Sequence, residues 1–341
     1  MGPMTPRLAA LAAAIAALAV AGSAQATSEP PASVPAGPVQ WVVGADDPGS
    51  AGELEDALAA AGASVEWLPR LDALAVTGGD REAVVDALAD EGGLDYVERD
   101  MPRTLHAEPA DALDPATGRA YGWALGAVRA GEAIAAAGGG APSSPVAVVD
   151  SGVDAGHPDL AGRVMPGRDV LRLGTTQDAL GHGTFVAGLV SAVDGNGVGG
   201  RGVAGATPII PVRVTASGSI RSADLAAGMV AAVDAGARVV NVSIGGPGIT
   251  SVEEAALDYA RRRDVLVVAS AGNSAQSGND VEYPAAAVGG DDGGWSTGLS
   301  VAATDPLGWP APFSSFNRHV SIAAPGAGLG ACAEGVYSTI P

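Results

Sequence analysis

The sequence predicts an α/β protein with a doubly wound, mostly parallel sheet, preceded by a small α+β domain of ferredoxin-like pattern. From residue 145 onward, short apolar runs of strand length alternate with helical patterns, which is typical of a parallel sheet covered on both faces. Between residues 39 and 99 the order is strand, helix, strand, strand, helix, strand, which is the ferredoxin-like order. With 341 residues, 47% of them hydrophobic, the chain is long enough for two units to bury cores.

The composition excludes several classes of function. Asp and Glu number 38 against 18 Lys and Arg, a net charge of −20, which disfavours binding to nucleic-acid phosphates or to an anionic membrane surface. The single cysteine, Cys332, permits neither an intramolecular disulfide nor a cysteine-based zinc site. The four histidines show no H-x-x-x-H spacing, so a histidine-rich metal site is not expected either.

The N-terminal residues predict an export signal. An apolar stretch from Leu8 to Gly22 is followed by Ala24-Gln25-Ala26, which matches a cleavage motif for secretion. The stretch is shorter than the roughly 20 residues that a membrane span needs, although an N-terminal anchor or a buried helix is the alternative. We therefore expect a signal peptide at 1–26, a proline-rich linker at 27–38, and a secreted protein.

The small domain is predicted from local patterns alone. Leu54 and Leu58 lie four residues apart, as one helix face requires, and Asp80 is placed to cap a second helix. The predicted elements are a strand at 39–43, a helix at 52–61, strands at 64–68 and 73–77, a helix at 81–89 and a strand at 94–98.

In the large unit, polar residues follow the apolar strands. The predicted strands are 145–149, 209–214, 239–244 and 265–269, with helices at 183–193, 222–235 and 252–263. Asp150, Ser243 and Asn273 each come directly after a strand or near its end. Ligands of parallel sheets bind at the carboxyl ends of the strands, so the functional site is expected there.

Asp150, His182 and Asn273 form a chemically sensible set. A carboxylate at a buried strand end can orient an imidazole, and the glycines beside His182 permit close approach of a substrate. The amide of Asn273 could donate a hydrogen bond to a developing oxyanion. Taken singly, each residue has a plainer interpretation, as a helix cap or a turn residue.

Several motifs together resemble those of the subtilisin-like serine proteases, peptidase family S8. V-A-V-V-D-S-G-V-D with H-P-D-L (146–160) resembles the family's aspartate motif, and G-H-G-T-F-V-A-G (181–188) its histidine motif. N-V-S-I-G-G, A-G-N-S, Y-P-A-A and A-A-P-G follow in the family's order. The resemblance covers about residues 118–341 and implies that 39–105 is an inhibitor I9-like propeptide and 106–341 the catalytic domain.

The resemblance implies a role for each matching residue. Asp150 would hold the imidazole, His182 would act as general base and then general acid, and Asn273 would stabilise the oxyanion. A substrate peptide would be added as a strand between two edge segments. The residues of these two segments are Ser243, Ile244 and Gly245 on one side and Ser217, Gly218 and Ser219 on the other.

The resemblance also implies a structural calcium ion. Asp159, Asn196 and the backbone oxygens of Val198 and Gly200 match the family's ligand positions. Carboxylate, amide and carbonyl oxygens are the ligands that Ca²⁺ takes in proteins. The alternative is a glycine-rich turn that binds no ion.

One departure from the family bears on activity. The family's nucleophile motif, G-T-S-x-[AS]-x-P, is expected after A-P-G but does not occur within residues 1–341. Ser338 lacks the flanking small residues of that motif, so it is not expected to replace the nucleophile. The sequence thus predicts an inactive N-terminal fragment of a secreted endopeptidase, its sheet incomplete at the C-terminus. A non-catalytic pseudoprotease or peptide-binding product is the alternative.

The expected partners follow from this interpretation. They are protein or peptide substrates and the propeptide, acting as an intramolecular inhibitor. We expect a monomer, with neither nucleic acid nor a stable membrane partner.

Overall fold

The computed structural model describes residues 40–78, 81–89, 92–105, 123–137, 144–290 and 298–327, together with Val336, Ser338 and Thr339. The predicted signal peptide and linker, the capping residue Asp80 and Cys332 lie outside these described residues.

The small domain has the predicted order of elements. They are β1 (Gln40–Ala45), α1 (Pro48–Ala60), β2 (Ser64–Leu68), β3 (Ala73–Thr77), α2 (Arg81–Leu88) and β4 (Leu94–Arg99). The strands form an antiparallel sheet in the order β2-β3-β1-β4. Helix α1 begins earlier than predicted because Asp47 caps it, accepting hydrogen bonds from the N–H groups of Gly49 and Ser50, and proline suits the first helical position.

The two faces of the small sheet are covered differently. Trp41, Val43 and Leu74 pack with the buried leucines of α1, whereas Val42 and Ala75 belong to a hydrophobic cluster that continues into the large domain. The alternation along β1 thus gives one strand two apolar faces, one towards its own helices and one towards the second domain.

The large domain is built on a parallel sheet. Its strands follow the order β15-β14-β12-β10-β6-β8-β7, and every neighbouring pair is parallel. These strands are β6 (Val146–Asp150), β7 (Arg168–Asp169), β8 (Ile209–Arg213), β10 (Val239–Val242), β12 (Leu266–Ser270), β14 (Gly298–Thr304) and β15 (Ile322–Pro325). The helices are α3 (Trp123–Ala127), α4 (Ala130–Ala136), α5 (His182–Ser191), α6 (Ser222–Asp234), α7 (Ser251–Arg262) and α8 (Ala285–Gly289).

Both faces of this sheet are buried, as the apolar strands predict. On β6, Ala147 and Val149 pack on the side of α6 and α7, while Val146 and Val148 pack on the side of α5. Each fully buried valine contributes about 1.5–3 kcal/mol relative to an exposed one. The doubly wound, mostly parallel sheet predicted from the sequence is confirmed.

A third, antiparallel sheet joins the two domains. Its order is β13-β11-β5-β9, with β5 (Pro102–Leu105), β9 (Ser219–Arg221), β11 (Ile244–Pro247) and β13 (Glu282–Tyr283). The sequence predicted one strand from 239 to 244, but the structure divides it at Ser243. Residues before Ser243 pair within the parallel sheet, whereas those after it pair with β5 and β13.

None of the helices in the described parts of the chain is long and apolar enough to cross a membrane.

Candidate active site

Asp150 and His182 form a buried hydrogen-bonded pair. Asp150 is the last residue of β6 and His182 the first residue of α5, and both side chains are about 1% exposed or less. The Nδ1 atom of His182 lies 2.7 and 2.8 Å from the two carboxylate oxygens of Asp150. A carboxylate at Nδ1 favours the tautomer with the proton on that nitrogen, which places the basic lone pair on Nε2.

Two glycines allow the segment around His182 to approach the residues at the end of β6. Gly181 has a φ of +85°, a left-handed conformation that favours glycine. A Cβ atom on Gly183 would lie 2.0 Å from the carbonyl oxygen of Gly152, so any side chain there would separate the two segments. Glycine is therefore favoured at 181 by the left-handed backbone conformation and at 183 by the lack of space for a side chain.

Asp178, which the sequence analysis missed, ties these segments together. Its carboxylate accepts hydrogen bonds from Ser151 Oγ at 2.8 Å, from Thr184 Oγ1 at 2.7 Å and from the Thr184 N–H at 2.8 Å. Ser151 Oγ in turn accepts the Gly183 N–H at 3.0 Å. The available signal was an acidic residue four positions before His182, where it can interact favourably with the N-terminus of α5.

Asn273 lies just beyond the carboxyl end of β12, two strands from β6 in the sheet. The preceding residue, Gly272, has a φ of +111°, and its backbone packs against the carboxylate of Glu282. The N–H of Asn273 donates to Glu282 Oε1 at 3.1 Å, which fixes the turn, and the Asn273 residue is exposed. The amide can thus be reached by a bound ligand, as an oxyanion donor must be.

The two predicted substrate segments lie on either side of the chain's own residues 102–105. Ile244 and Gly245 pair with Leu105 and Thr104 in antiparallel register. On the other edge, Ser219 pairs with Thr104. The slot in which a substrate peptide was expected as an added strand therefore holds β5.

The remaining substrate-binding candidates lie next to these strands. Ser217 and Gly218 precede β9 in a turn, where their N–H groups donate to Thr215 Oγ1 at 3.2 and 3.0 Å. Ser243 is buried between β10 and β11, and its Oγ accepts a hydrogen bond from Asn241 Nδ2 at 2.9 Å.

The predicted calcium ligands are brought together, but they bond to one another. Buried Asp159 accepts hydrogen bonds from Asn196 Nδ2 at 2.9 Å and from the Gly200 N–H at 3.0 Å. Asn196 Oδ1 accepts the Val198 N–H at 2.9 Å. The donor set contains the carboxylate and amide oxygens that suit calcium, but an ion there would have to displace N–H groups from Asp159. Within the described residues there is no cluster of three or more His, Cys, Asp or Glu that could hold a metal.

Near the end of the chain, Ser338 and Thr339 pack on α5. Ser338 Oγ donates to the carbonyl oxygen of Phe185 at 2.6 Å, and Thr339 Oγ1 donates to that of Thr184 at 2.8 Å. Both hydroxyls thus donate hydrogen bonds to backbone carbonyl groups of α5.

Comparison with known proteins agrees with this geometry. Residues 143–340 match the model of the subtilase family, peptidase family S8. Thermitase from Thermoactinomyces vulgaris is 38% identical over 198 residues, which are 58% of this chain and 65% of that protein. An alkaline protease from Shouchella clausii is 34% identical over 249 residues, 71% of this chain and 57% of that protein.

The fold is also similar to a solved structure. Fervidolysin from Fervidobacterium pennivorans, described as a keratinolytic enzyme related to subtilisin, matches with a TM-score of 0.67 and 28% identity. The match covers 84% of this chain and 47% of that one. The chain spans between 45% and 65% of the length of three curated relatives that it matches. Because the family model covers more than half of the chain and the Asp150–His182 pair has the expected geometry, the chain belongs to the subtilase family.

Proposed function

We propose that this protein is a secreted serine endopeptidase of the subtilisin type, in its zymogen form. The observation that carries the proposal is the insertion of residues 102–105 as an antiparallel strand between β9 and β11. Ser243 connects β11 to β10, which neighbours the strand ending at Asp150. A peptide in this slot is held by backbone hydrogen bonds, a mode of recognition that tolerates many sequences.

The proposed mechanism uses the buried Asp–His pair. Asp150 orients the imidazole and stabilises its protonated form, and His182 Nε2 accepts the proton of a serine hydroxyl as that oxygen attacks the peptide carbonyl. The amide of Asn273 donates a hydrogen bond to the resulting oxyanion. His182 then gives its proton to the leaving amine, which departs as the peptide bond breaks.

We propose that the serine of this mechanism lies outside residues 1–341. No G-T-S-x-[AS]-x-P motif occurs in the sequence shown, and the hydroxyl of Ser338 donates to a helix carbonyl. The second candidate function is a peptide-binding protein without catalysis, which is favoured by the pairing of residues 102–105 between β9 and β11.

Two experiments test these proposals. The purified chain should show no peptide hydrolysis above background, because loss of a triad member removes most of the catalytic advantage. Labelling of Ser338 by a fluorophosphonate probe, abolished by Ser338→Ala, would contradict this. Reading the gene beyond codon 341 in all frames should reveal the missing motif. The extended protein should hydrolyse peptides, and His182→Ala should abolish this activity because it removes the general base. The absence of the motif in every frame would favour the peptide-binding alternative.

The small domain is proposed to act as an intramolecular inhibitor. Two of its acidic residues contact the N-termini of large-domain helices. Glu98 accepts a hydrogen bond from the Ser251 N–H at 2.5 Å, and Asp100 accepts one from the Ser222 N–H at 2.7 Å. Together with β5, these contacts hold the substrate slot closed. Adding residues 39–105 to an active extended enzyme should slow hydrolysis at micromolar concentration, and no inhibition at any soluble concentration would reject the role.

Secretion and calcium binding complete the proposal. Export is supported by the apolar segment and the Ala24-Gln25-Ala26 motif, and N-terminal sequencing of exported protein beginning at Thr27 would test it. Calcium binding is common among subtilases, and Asp159 with Asn196 offers a buried carboxylate and an amide at the matching place. When bound, the ion would neutralise the charge of Asp159 and hold the loop 196–200 against it.

A further inference from the structure

Arg103 is an unusual residue for the middle of a strand that occupies a substrate slot. It lies in β5, opposite Ile220, with its side chain entirely buried. A buried guanidinium requires compensating acceptors, because an unpaired charge away from water is strongly unfavourable. The acceptors around Arg103 therefore show what this part of the slot is built to hold.

The large domain supplies a pocket that matches the guanidinium. Arg103 Nε donates to Glu253 Oε1 at 2.7 Å, and Nη2 donates to the other carboxylate oxygen of the same residue. Nη2 also donates to the carbonyl oxygen of Gly248 at 3.1 Å. The paired contact with Glu253 is the two-pronged geometry that arginine makes with carboxylates. The pocket is thus both charged and shaped for a planar cation.

Two features of the large domain shape the pocket. Glu253 accepts hydrogen bonds from the Thr250 N–H at 3.0 Å and from Thr250 Oγ1 at 2.8 Å, so its carboxylate is fixed independently of any ligand. Gly246 lacks the Cβ atom that would lie 2.4 Å from the carbonyl oxygen of Pro102 and 3.1 Å from Arg103 Nη1. The strand and its arginine can therefore approach β11 closely.

We propose that this pocket selects arginine in substrates. The arginine stands two residues before the substrate residue that pairs with Ile244, just as Arg103 stands two residues before Leu105. Glu253 is the specificity-determining residue, and Gly248 supplies the second acceptor. The inference rests on the proposed endopeptidase cleft and names the class of peptide that it takes. Lysine should bind less well, because an ammonium group cannot make the paired contact.

Peptide binding to the full chain tests this proposal. In the chain carrying Arg103→Ala, Glu253 loses the cation that it binds. Because β5 is then held less firmly in the slot, added peptides gain access to it. The probes are labelled copies of residues 101–105 with arginine, citrulline or lysine at the position of Arg103, and binding is measured by fluorescence anisotropy. Citrulline keeps the shape and removes the charge.

The arginine peptide should bind at least tenfold more tightly than the citrulline and lysine peptides. Adding Glu253→Gln should reduce the preference over citrulline to less than about threefold, whereas the matched change at the exposed neighbour, Glu254→Gln, should preserve it. Thermal melts of each variant verify that the chain is folded. As a second measurement, Arg103→Lys in the otherwise unchanged chain should accelerate amide hydrogen exchange in residues 103–105 at least tenfold.

The possible failures have different meanings. Arginine and citrulline peptides that bind within twofold of each other would overturn the selective pocket but leave the peptide cleft intact. If no peptide bound at millimolar concentration although hydrogen exchange showed that β5 had left the slot in the Arg103→Ala chain, the cleft itself, and with it the proposed endopeptidase, would be contradicted. Unchanged exchange in Arg103→Lys would also argue against the pocket.

Discussion

Asp100 offers the sharpest test of how the small domain is held in place. It follows β4 and is 9% exposed, and its Oδ1 accepts hydrogen bonds from the N–H groups of Ser222 and Ala223, at 2.7 and 3.4 Å. The carboxylate of one domain thus caps helix α6 of the other. Asp100→Ala should weaken the contact, whereas Asp100→Asn should largely keep it, because asparagine is an equally good N-cap.

The expected loss of docking free energy in Asp100→Ala follows from the removal of the cap on α6. Replacing an N-cap residue by alanine costs about 0.5–2 kcal/mol, and leaving a buried N–H group unsatisfied costs about 1–3 kcal/mol. The Ser222 N–H retains a bond of 3.1 Å to the Met101 carbonyl oxygen, which limits the loss. We therefore expect Asp100→Ala to weaken domain docking by about 1–2 kcal/mol, roughly 5- to 30-fold in the docking equilibrium.

The assay is amide hydrogen exchange across residues 97–105, which reports local opening of this contact. Protection should fall roughly 5- to 30-fold in Asp100→Ala and change little in Asp100→Asn. Asp56→Ala is the matched control, because Asp56 is exposed on α1, the helix on the opposite face of the small sheet. Full protection in Asp100→Ala, or equal losses in the alanine and asparagine variants, would refute the reasoning.

The raised pKa of Asp100 also indicates how docking of the small domain depends on pH. Burial raises the pKa of Asp100 above its ordinary value of 3.8, outweighing the hydrogen bonds from Ser222, and burial likewise raises the pKa of Glu98 above 4.5. A carboxyl group whose pKa is raised by docking takes up a proton as the domains associate. Docking is therefore favoured at low pH and weakens as the pH rises through the raised pKa values. Asp100→Asn should flatten part of this dependence, and protection that increases with pH would contradict the sign.

The remaining predictions concern stability. Calcium bound only to the folded protein would stabilise it by about 2.7 kcal/mol at a hundredfold excess over Kd. Chelation should thus lower Tm, and Asp159→Ala should remove most of this effect; equal losses in variant and parent would place the ion elsewhere. Asp178→Asn replaces charge-assisted bonds to Ser151 and Thr184 and should reduce the free energy of unfolding by about 2 kcal/mol in urea titrations. Asp194→Asn, at an exposed carboxylate, is its control, and equal effects would contradict the role of Asp178.

The fold and the positions of Asp150 and His182 could be predicted because their signals are local in sequence, whereas the pairing of the two residues was implied by the resemblance to the subtilisin-like family. The apolar run that ends at Asp150 defines a buried strand, and the glycines around His182 reflect close backbone approach. The division at Ser243 could not be predicted, because its immediate neighbours, Val242 and Ile244, are both apolar and only their strand partners differ. Strand pairing is a tertiary property that one strand's sequence does not specify.

Contacts between distant residues were also beyond the sequence pattern. Arg103 and Glu253 are 150 positions apart, and nothing around either residue indicates that the two meet. In the structure, Glu253 occupies the N3 position of a capping box whose N-cap is Thr250. Its second contact, with the guanidinium, appears only when β5 lies between β9 and β11.

This double role of Glu253 explains how the pocket can persist when the small domain leaves. A buried ion pair is weak support for stability by itself, since removing one partner leaves an uncompensated charge. Here the carboxylate keeps its two hydrogen bonds from Thr250 and lies in the first turn of α7, where the helix dipole favours a negative charge. Water entering the vacated slot would complete its solvation. The large domain can therefore hold the Glu253 carboxylate in place without Arg103, and this makes the same carboxylate available to an incoming arginine.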